Sequence, residues 1–138
     1  MKKRVLILCT ANSARSQMAE ALLRVDHADR FEVESAGTKA TLVRPEAIAV
    51  MKEIGIDISF HRSKIVDEFA DQSFDYVLTV CDNAKESCPI FPGHGNRLHH
   101  SFDDPAAVQG SEEERLASFR KVRDQIRDYL ISFPRLDD

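Results

Sequence analysis

Residues 4–9 constrain the fold of this chain more than any other segment, because they form a continuous aliphatic run without polar alternation. Such a run is typical of a strand that is buried on both faces of a parallel sheet. Small polar residues follow at positions 10–14, and a helical pattern begins at Arg15, with apolar residues at Met18, Leu22 and Val25. We therefore predict a buried strand, a short loop and a helix that ends near His27.

The same alternation of strand and helix patterns continues along the chain. Strand patterns occur at residues 31–35, 75–81 and 97–102. A helix is expected between Pro45, which suits a first helical position, and Gly55, which suits a helix end; its apolar stripe is Ile48, Met51 and Ile54. A short helix is expected after the third strand.

The last helix has the strongest local signals. Ser111 and Glu114 have the spacing of a capping box, and the acidic residues of this first turn complement the helix dipole. Pro134 is expected to end the element. Its apolar face is predicted to consist of Leu116, Phe119, Val122, Ile126 and Leu130.

This order of elements predicts an α/β fold, an open parallel sheet with helices on both faces, in one domain spanning residues 1–138. With 138 residues the chain is long enough to bury a core without disulfides or a structural metal. The net charge of −4 argues against general nucleic-acid binding, and the longest apolar run is too short to cross a bilayer. We expect a cytoplasmic monomer without membrane contact.

The loop after the first strand is a candidate oxyanion site. It directs backbone N–H groups of residues 10–14 and the positive end of a helix dipole toward one point, and Arg15 adds a planar set of donors. The same field is expected to lower the pKa of Cys9 and make it a nucleophile, with Ser16 donating a hydrogen bond to its sulfur. The simpler alternative is that Cys9 is a buried apolar residue and Arg15 a solvated one.

The pattern Cys9-x5-Arg15-Ser16 after a buried strand resembles the low-molecular-weight protein tyrosine phosphatase superfamily. The resemblance implies a four-stranded parallel sheet in the order 2-1-3-4. It also implies that the loop Thr10, Ala11, Asn12, Ser13, Ala14 and Arg15 binds an oxyanion. Ala11 and Ala14 stand where phosphatases of this group usually have glycine and a second cysteine.

Two further cysteines indicate which group within this superfamily the chain resembles. Cys81 ends the third strand pattern, next to the first strand in the implied order, and Cys88 lies seven residues later. Inert thiols are one alternative, and a zinc site completed by His94, His99 or His100 is another. The spacing Cys81-x6-Cys88-Pro89 resembles thioredoxin-coupled arsenate reductases. That family implies a relay in which Cys9 attacks arsenate, Cys81 attacks Cys9, and a Cys81–Cys88 disulfide passes to thioredoxin.

The resemblance assigns roles to other polar residues. Asp104, which precedes Pro105, would protonate the departing oxygen, with Asp103 as the alternative; an ordinary turn is the competing explanation. Asn12, Glu20 and Ser35 match a potassium site of some arsenate reductases, where Lys64 replaces a further aspartate. We expect the Lys64 ammonium to fill that site, and a solvated lysine is the alternative.

The sequence therefore predicts an arsenate reductase that uses thioredoxin as reductant and no cofactor or metal. A phosphatase is the main alternative, since it would share Cys9, Arg15 and Asp104 without needing Cys81 or Cys88. Tyrosine phosphatases of this fold carry tyrosines after Asp-Pro, whereas this chain has Ala106 and Ala107. A non-enzymatic phosphocysteine carrier or oxyanion sensor is a third possibility.

Overall fold

The computed structural model describes residues 2–82 and 95–134 of the chain. The described strands are β1 (Lys3–Cys9), β2 (Phe31–Gly37), β3 (Tyr76–Thr79) and β4 (Asn96–His99). They form one parallel sheet in the order β2-β1-β3-β4. The predicted fold class and strand order are therefore confirmed.

Strand β1 is the centre of the core, because it pairs with β2 on one side and with β3 on the other. Val5, Leu6 and Ile7 are completely buried. A strand covered on both faces has no solvent side, so every position favours an aliphatic residue. Burying each of these side chains contributes roughly 1.5–3 kcal/mol to stability.

Three α-helices lie within the described residues: α1 (Arg15–Asp26), α2 (Pro45–Glu53) and α3 (Glu112–Leu130). Helix α3 packs against both α1 and α2. Short 3-10 helices occur at Val66–Phe69 and Pro105–Ala107. In the described part of the chain, no helix combines the length and apolarity that crossing a membrane requires.

The helix ends follow the predicted chemistry. Pro45 occupies the first turn of α2, and Gly55, with a φ of 81°, adopts the left-handed conformation just after that helix. Ser111 and Glu114 form the predicted capping box of α3. The expected termination of α3 at Pro134 is slightly late, because the helix ends at Leu130.

Two predicted strand bounds are wrong, and the end of α1 is more exposed than its apolar spacing indicates. Val25 is 54% exposed, whereas every residue from Ser16 to Leu23 is buried. The third strand ends at Thr79 rather than at residue 81. The fourth covers Asn96–His99 rather than 97–102. Individual hydrogen bonds extend both strands, since Val80 donates to Leu8 and Phe102 donates to Val80.

Candidate active site

Four carbonyl groups at the loop between β1 and α1 are hydrogen-bonded to the segments around it. The carbonyls of Cys9, Thr10 and Ser13 accept hydrogen bonds from the backbone amides of Thr38, Lys39 and Arg44, and the carbonyl of Ala11 accepts from Ser63 Oγ at 2.8 Å. In a trans peptide the N–H points opposite to the C=O. The N–H groups of these peptides therefore point away from the segments that surround the loop, and Ala14, the N-cap of α1, has no side chain to occupy the first amides of the helix. This arrangement suits a bound oxyanion.

Asn12 fixes the shape of this loop from behind. Its φ of 50° places it in the left-handed region, which asparagine tolerates better than most residues. Its completely buried side chain donates to Ser16 Oγ at 2.7 Å and to Ser35 Oγ at 3.0 Å. Its Oδ1 accepts from Gln17 Nε2 and from the Lys64 amide, both at 2.9 Å. One side chain thus joins the loop to helix α1, strand β2 and the segment that carries Lys64.

Gly37 allows β2 to approach the loop closely. A Cβ atom at this position would lie 2.6 Å from the carbonyl oxygen of Thr10 and 2.8 Å from the amide nitrogen of Asn12. Both contacts are with backbone atoms, which cannot rotate away. The loop therefore requires glycine at the end of β2.

Cys9 and Cys81 are both buried and form no disulfide, and a hydrogen bond between their side chains is the largest influence on the pKa of Cys9. The Thr10 hydroxyl lies 3.3 Å from Cys81 Sγ. The two cysteines are brought together because β1 and β3 are neighbouring parallel strands that end at the same edge of the sheet. The structure thus places two cysteine side chains side by side at the oxyanion loop.

The predicted lowering of the Cys9 pKa is wrong for this arrangement. The hydrogen bond with Cys81 and burial both favour the neutral thiol and raise the pKa of Cys9. The Arg15 guanidinium and the Ser16 backbone N–H oppose this effect without reversing it. Ser16 therefore contacts the sulfur through its backbone, while its hydroxyl accepts from Asn12.

Arg15 contacts the segment that follows β4, and Asp104 belongs to that segment. Arg15 Nη1 donates to the carbonyl of Phe102 at 3.0 Å, which joins the first residue of α1 to the segment after β4. Asp104 is exposed, and its carboxylate accepts from the Ala106 amide at 3.0 Å, capping the 3-10 helix that begins at Pro105. Asp104 thus has the turn-forming contact that was the alternative to a catalytic role. This contact does not prevent an exposed carboxylate from also acting as an acid. Asp103 is also exposed.

Behind the loop, Glu20 is surrounded by hydrogen-bond donors. Lys64 Nζ lies 3.4 Å from Glu20 Oε1 and 3.6 Å from Glu34 Oε2, and only 12% of the Lys64 side chain is exposed. Ser35 Oγ donates to the same Glu20 oxygen at 2.6 Å, and Arg24 pairs with the other oxygen at 2.9 Å. The residues predicted for a cation site therefore meet, with the Lys64 ammonium among them.

Gln17 and His61 belong to the same network, and the sequence reasoning missed both. Gln17 Nε2 faces oxygen acceptors on Asn12 and Arg62, so its Oε1 faces His61 Nδ1 at 2.9 Å. His61 must therefore carry its hydrogen on Nδ1. Burial lowers the pKa of His61, and Glu20, 3.7 Å away, only partly offsets that effect. A glutamine in the first turn of a helix gives no sequence signal for such a role.

Comparison with known proteins identifies the family. The sequence model described as low molecular weight phosphotyrosine protein phosphatase matches residues 4–135. The chain belongs to this family. It is 46% identical over 131 residues to the arsenate reductase of Bacillus subtilis (strain 168), covering 95% of this chain and 94% of that protein. It is also 46% identical over 132 residues to the arsenate reductase of Halalkalibacterium halodurans, covering 96% of this chain and 95% of that protein.

Solved structures of related proteins have the same fold as this chain. A structure described as an arsenate reductase in the oxidized state has a TM-score of 0.76 at 31% identity and covers 93% of each chain. The low molecular weight protein tyrosine phosphatase from T. tengcongensis has a TM-score of 0.78 at 27% identity, covering 94% of this chain and 96% of that one. The family fold therefore accommodates both reductases and phosphatases.

The remaining predicted residues of this family member fall into two groups. Cys88 and His94 lie outside the described residues. His99 and His100 are described: His99 forms hydrogen bonds with Thr79 and Asp82, and His100 stacks on the ring of Tyr129. Within residues 2–82 and 95–134, no group of three metal-ligating side chains is close enough to hold an ion.

Proposed function

We propose that this chain reduces arsenate to arsenite. The observation that carries the proposal is the pair of neighbouring thiols, Cys9 and Cys81, at the loop that leads into the N-terminus of α1. A phosphatase needs one nucleophilic sulfur, whereas reduction of arsenate needs two electrons, which two thiols supply when they form a disulfide. The names of the relatives at 46% identity support the same activity.

In the first proposed step, the loop amides and Arg15 bind the arsenate dianion, and Cys9 attacks arsenic. We propose that Cys9 enters as a thiol, because the hydrogen bond with Cys81 and burial both raise its pKa. Its proton and the hydroxyl of hydrogen arsenate leave together as water, and Asp104 is the proposed carrier of that proton. The product is a Cys9 thiol–arsenate adduct with the same total charge.

In the second step, Cys81 attacks Cys9 Sγ. A sulfur–sulfur bond forms, the sulfur–arsenic bond breaks with its electron pair on arsenic, and arsenic passes from the +5 to the +3 state. The Cys81 proton goes to the departing arsenite. The Thr10 hydroxyl at 3.3 Å is placed to stabilise the Cys81 thiolate as it attacks.

The third step is an exchange in which Cys88 attacks Cys81 and releases Cys9 as a thiol. Thioredoxin then reduces the Cys81–Cys88 disulfide. Both steps are ordinary thiol–disulfide exchange, in which the oxidation moves from sulfur to sulfur without a cofactor.

A coupled assay with thioredoxin, its reductase and NADPH tests the relay. We expect Cys9→Ser and Cys81→Ser to abolish arsenite formation. Cys88→Ser should produce about one arsenite per protein and stop as the Cys9–Cys81 disulfide. A Cys81→Ser protein that still turns over would refute the relay. If the wild type releases only one arsenite per protein in the presence of thioredoxin, its reductase and NADPH, the result would instead support a non-enzymatic carrier.

We propose weak phosphoester hydrolysis as a second activity of the same loop. Phosphate and arsenate have nearly the same shape and charge, so Cys9, Arg15 and Asp104 suit either. The family match supports this activity. Hydrolysis of p-nitrophenyl phosphate should survive Cys81→Ser and disappear in Cys9→Ser; loss in both variants would contradict this assignment.

We also propose that Lys64 makes the activity independent of potassium. Its ammonium contacts Glu20 and Glu34, where a cation would otherwise balance these carboxylates. Turnover should be equal in potassium and sodium chloride at matched ionic strength. Lys64→Asp should create a potassium dependence, and a several-fold stimulation of the wild type by potassium would refute the proposal.

A further inference from the structure

His99 bridges two residues on either side of Cys81. Its Nδ1 lies 2.7 Å from Thr79 Oγ1, and its Nε2 lies 3.0 Å from Asp82 Oδ1. The His99 side chain is 22% exposed and that of Asp82 is 79% exposed. The imidazole thus spans the segment Thr79–Asp82 from the neighbouring strand β4.

The hydrogen-bonding partners hold this ring in either charge state. A carboxylate only accepts, so Nε2 carries a hydrogen toward Asp82, and neutral Nδ1 accepts from the Thr79 hydroxyl. When the ring is protonated, Nδ1–H donates to Thr79 Oγ1, and the hydroxyl hydrogen turns to the Leu98 carbonyl at 3.4 Å. The bridge therefore does not require one particular protonation state.

The backbone around Cys81 shows why the bridge matters. The Val80 amide donates to Leu8, and the Val80 carbonyl accepts from the Phe102 amide, so the sheet fixes the chain just before Cys81. β3 itself ends at Thr79. The contact between Asp82 and His99 fixes the chain on the other side of Cys81.

We propose that His99 is a positioning residue for Cys81, holding its sulfur in line for attack on Cys9. The inference rests on the proposed relay. Holding two reacting sulfurs in bonding geometry raises their effective concentration, which favours the disulfide over the two thiols, and an error of about 1 Å can cost up to about 100-fold. Both ring nitrogens are engaged by Thr79 and Asp82, so His99 acts through the backbone and does not take the proton of Cys81.

The row Thr79–His99–Asp82 also has the residue types of a hydrolytic triad, but its geometry does not suit that chemistry. Thr79 is only 5% exposed, and its hydroxyl lies between the imidazole and the Leu98 carbonyl. The hydroxyl is therefore already engaged by two neighbours in a buried position. The structure therefore favours a positioning role.

The equilibrium between the reduced pair and the Cys9–Cys81 disulfide tests this inference without arsenate. The Cys88→Ser protein is equilibrated in buffers of reduced and oxidised glutathione, where one oxidised glutathione converts two protein thiols to a disulfide and yields two reduced glutathiones. Quenched samples are quantified by mass spectrometry. We expect His99→Phe to lower the equilibrium constant about tenfold.

Three variants in the same background complete the design. Asp82→Asn keeps an acceptor oxygen toward Nε2 and should restore a near-wild-type constant, whereas Asp82→Ala, at an exposed position, should lower it about threefold. His100→Phe is the matched control, since this neighbouring ring stacks on Tyr129 at 4.3 Å and should leave the constant unchanged.

Equal constants for His99→Phe, Asp82→Ala and His100→Phe would overturn the positioning role. That result leaves the relay intact if Cys81→Ser still abolishes arsenite formation. Absence of any Cys9–Cys81 disulfide in the Cys88→Ser protein would overturn both the relay and the inference. If His99→Phe does not fold, the comparison of Asp82→Ala with His100→Phe tests the positioning role by itself.

Discussion

Replacing Asn12 by alanine is the sharpest single test of the loop. The change removes four hydrogen bonds of 2.7–3.0 Å in a completely buried position. The Lys64 amide loses its acceptor, which costs about 1–3 kcal/mol, whereas Gln17 keeps other acceptors and loses less. Alanine at a φ of 50° adds about 1 kcal/mol of backbone strain. The expected loss of unfolding free energy is about 4 kcal/mol.

Asn12→Gly separates the two causes, because glycine removes the same hydrogen bonds but accepts the left-handed conformation. Urea unfolding should show Asn12→Gly to be about 1 kcal/mol more stable than Asn12→Ala, with equal denaturant slopes. Calorimetric titration with phosphate should show weaker binding for both variants. A loss below about 1 kcal/mol for Asn12→Ala, or unchanged phosphate affinity, would refute the view that this side chain shapes the loop.

Three further predictions address other parts of the fold. Gly37→Ala should lower the stability by about 1–3 kcal/mol in urea unfolding and weaken phosphate binding, because its methyl group meets the backbone of Thr10 and Asn12; an unchanged affinity would contradict this. Ser111→Ala should cost about 1 kcal/mol through the lost capping box while leaving phosphate affinity unchanged. His61 has a lowered pKa in the folded chain, so the unfolded chain binds its proton more readily. Its contribution to stability should be complete above its ordinary pKa of about 6.5 and be lost as the pH falls below that value. Thermal melting should therefore depend on pH less steeply between pH 7 and 5 in His61→Asn than in the wild type; parallel profiles would contradict the prediction.

The elements with strong local signals could be predicted from the sequence. The uninterrupted aliphatic residues of β1 indicate burial on both faces, and the paired Ser111 and Glu114 indicate a helix start, because neither signal depends on distant residues. Val25 shows the limit of a periodic pattern. The periodicity gives the direction of a side chain, but whether another element covers it depends on where the helix extends relative to the sheet.

The site was partly predictable for a similar reason. The sequence indicates a strand, a loop and a helix at Cys9 and Arg15, and the structure has these elements; anion binding by the loop stays a prediction. The direction of the Cys9 pKa could not be found from the loop alone, since the Cys81 thiol that raises it comes from a strand more than 70 residues later. The contact between Gln17 and His61 joins residues 44 apart and has no local pattern.

The hydrogen bond from Arg15 to the Phe102 carbonyl joins residues 87 positions apart. During synthesis, the first strand and loop leave the ribosome long before β3 and β4, and at about 5–20 residues per second this interval lasts roughly 4–17 seconds. Until Phe102 is made, Arg15 lacks this anchor, and until Cys81 is made, Cys9 lacks the thiol beside it. The surroundings of the first loop are therefore completed by residues from the second half of the chain.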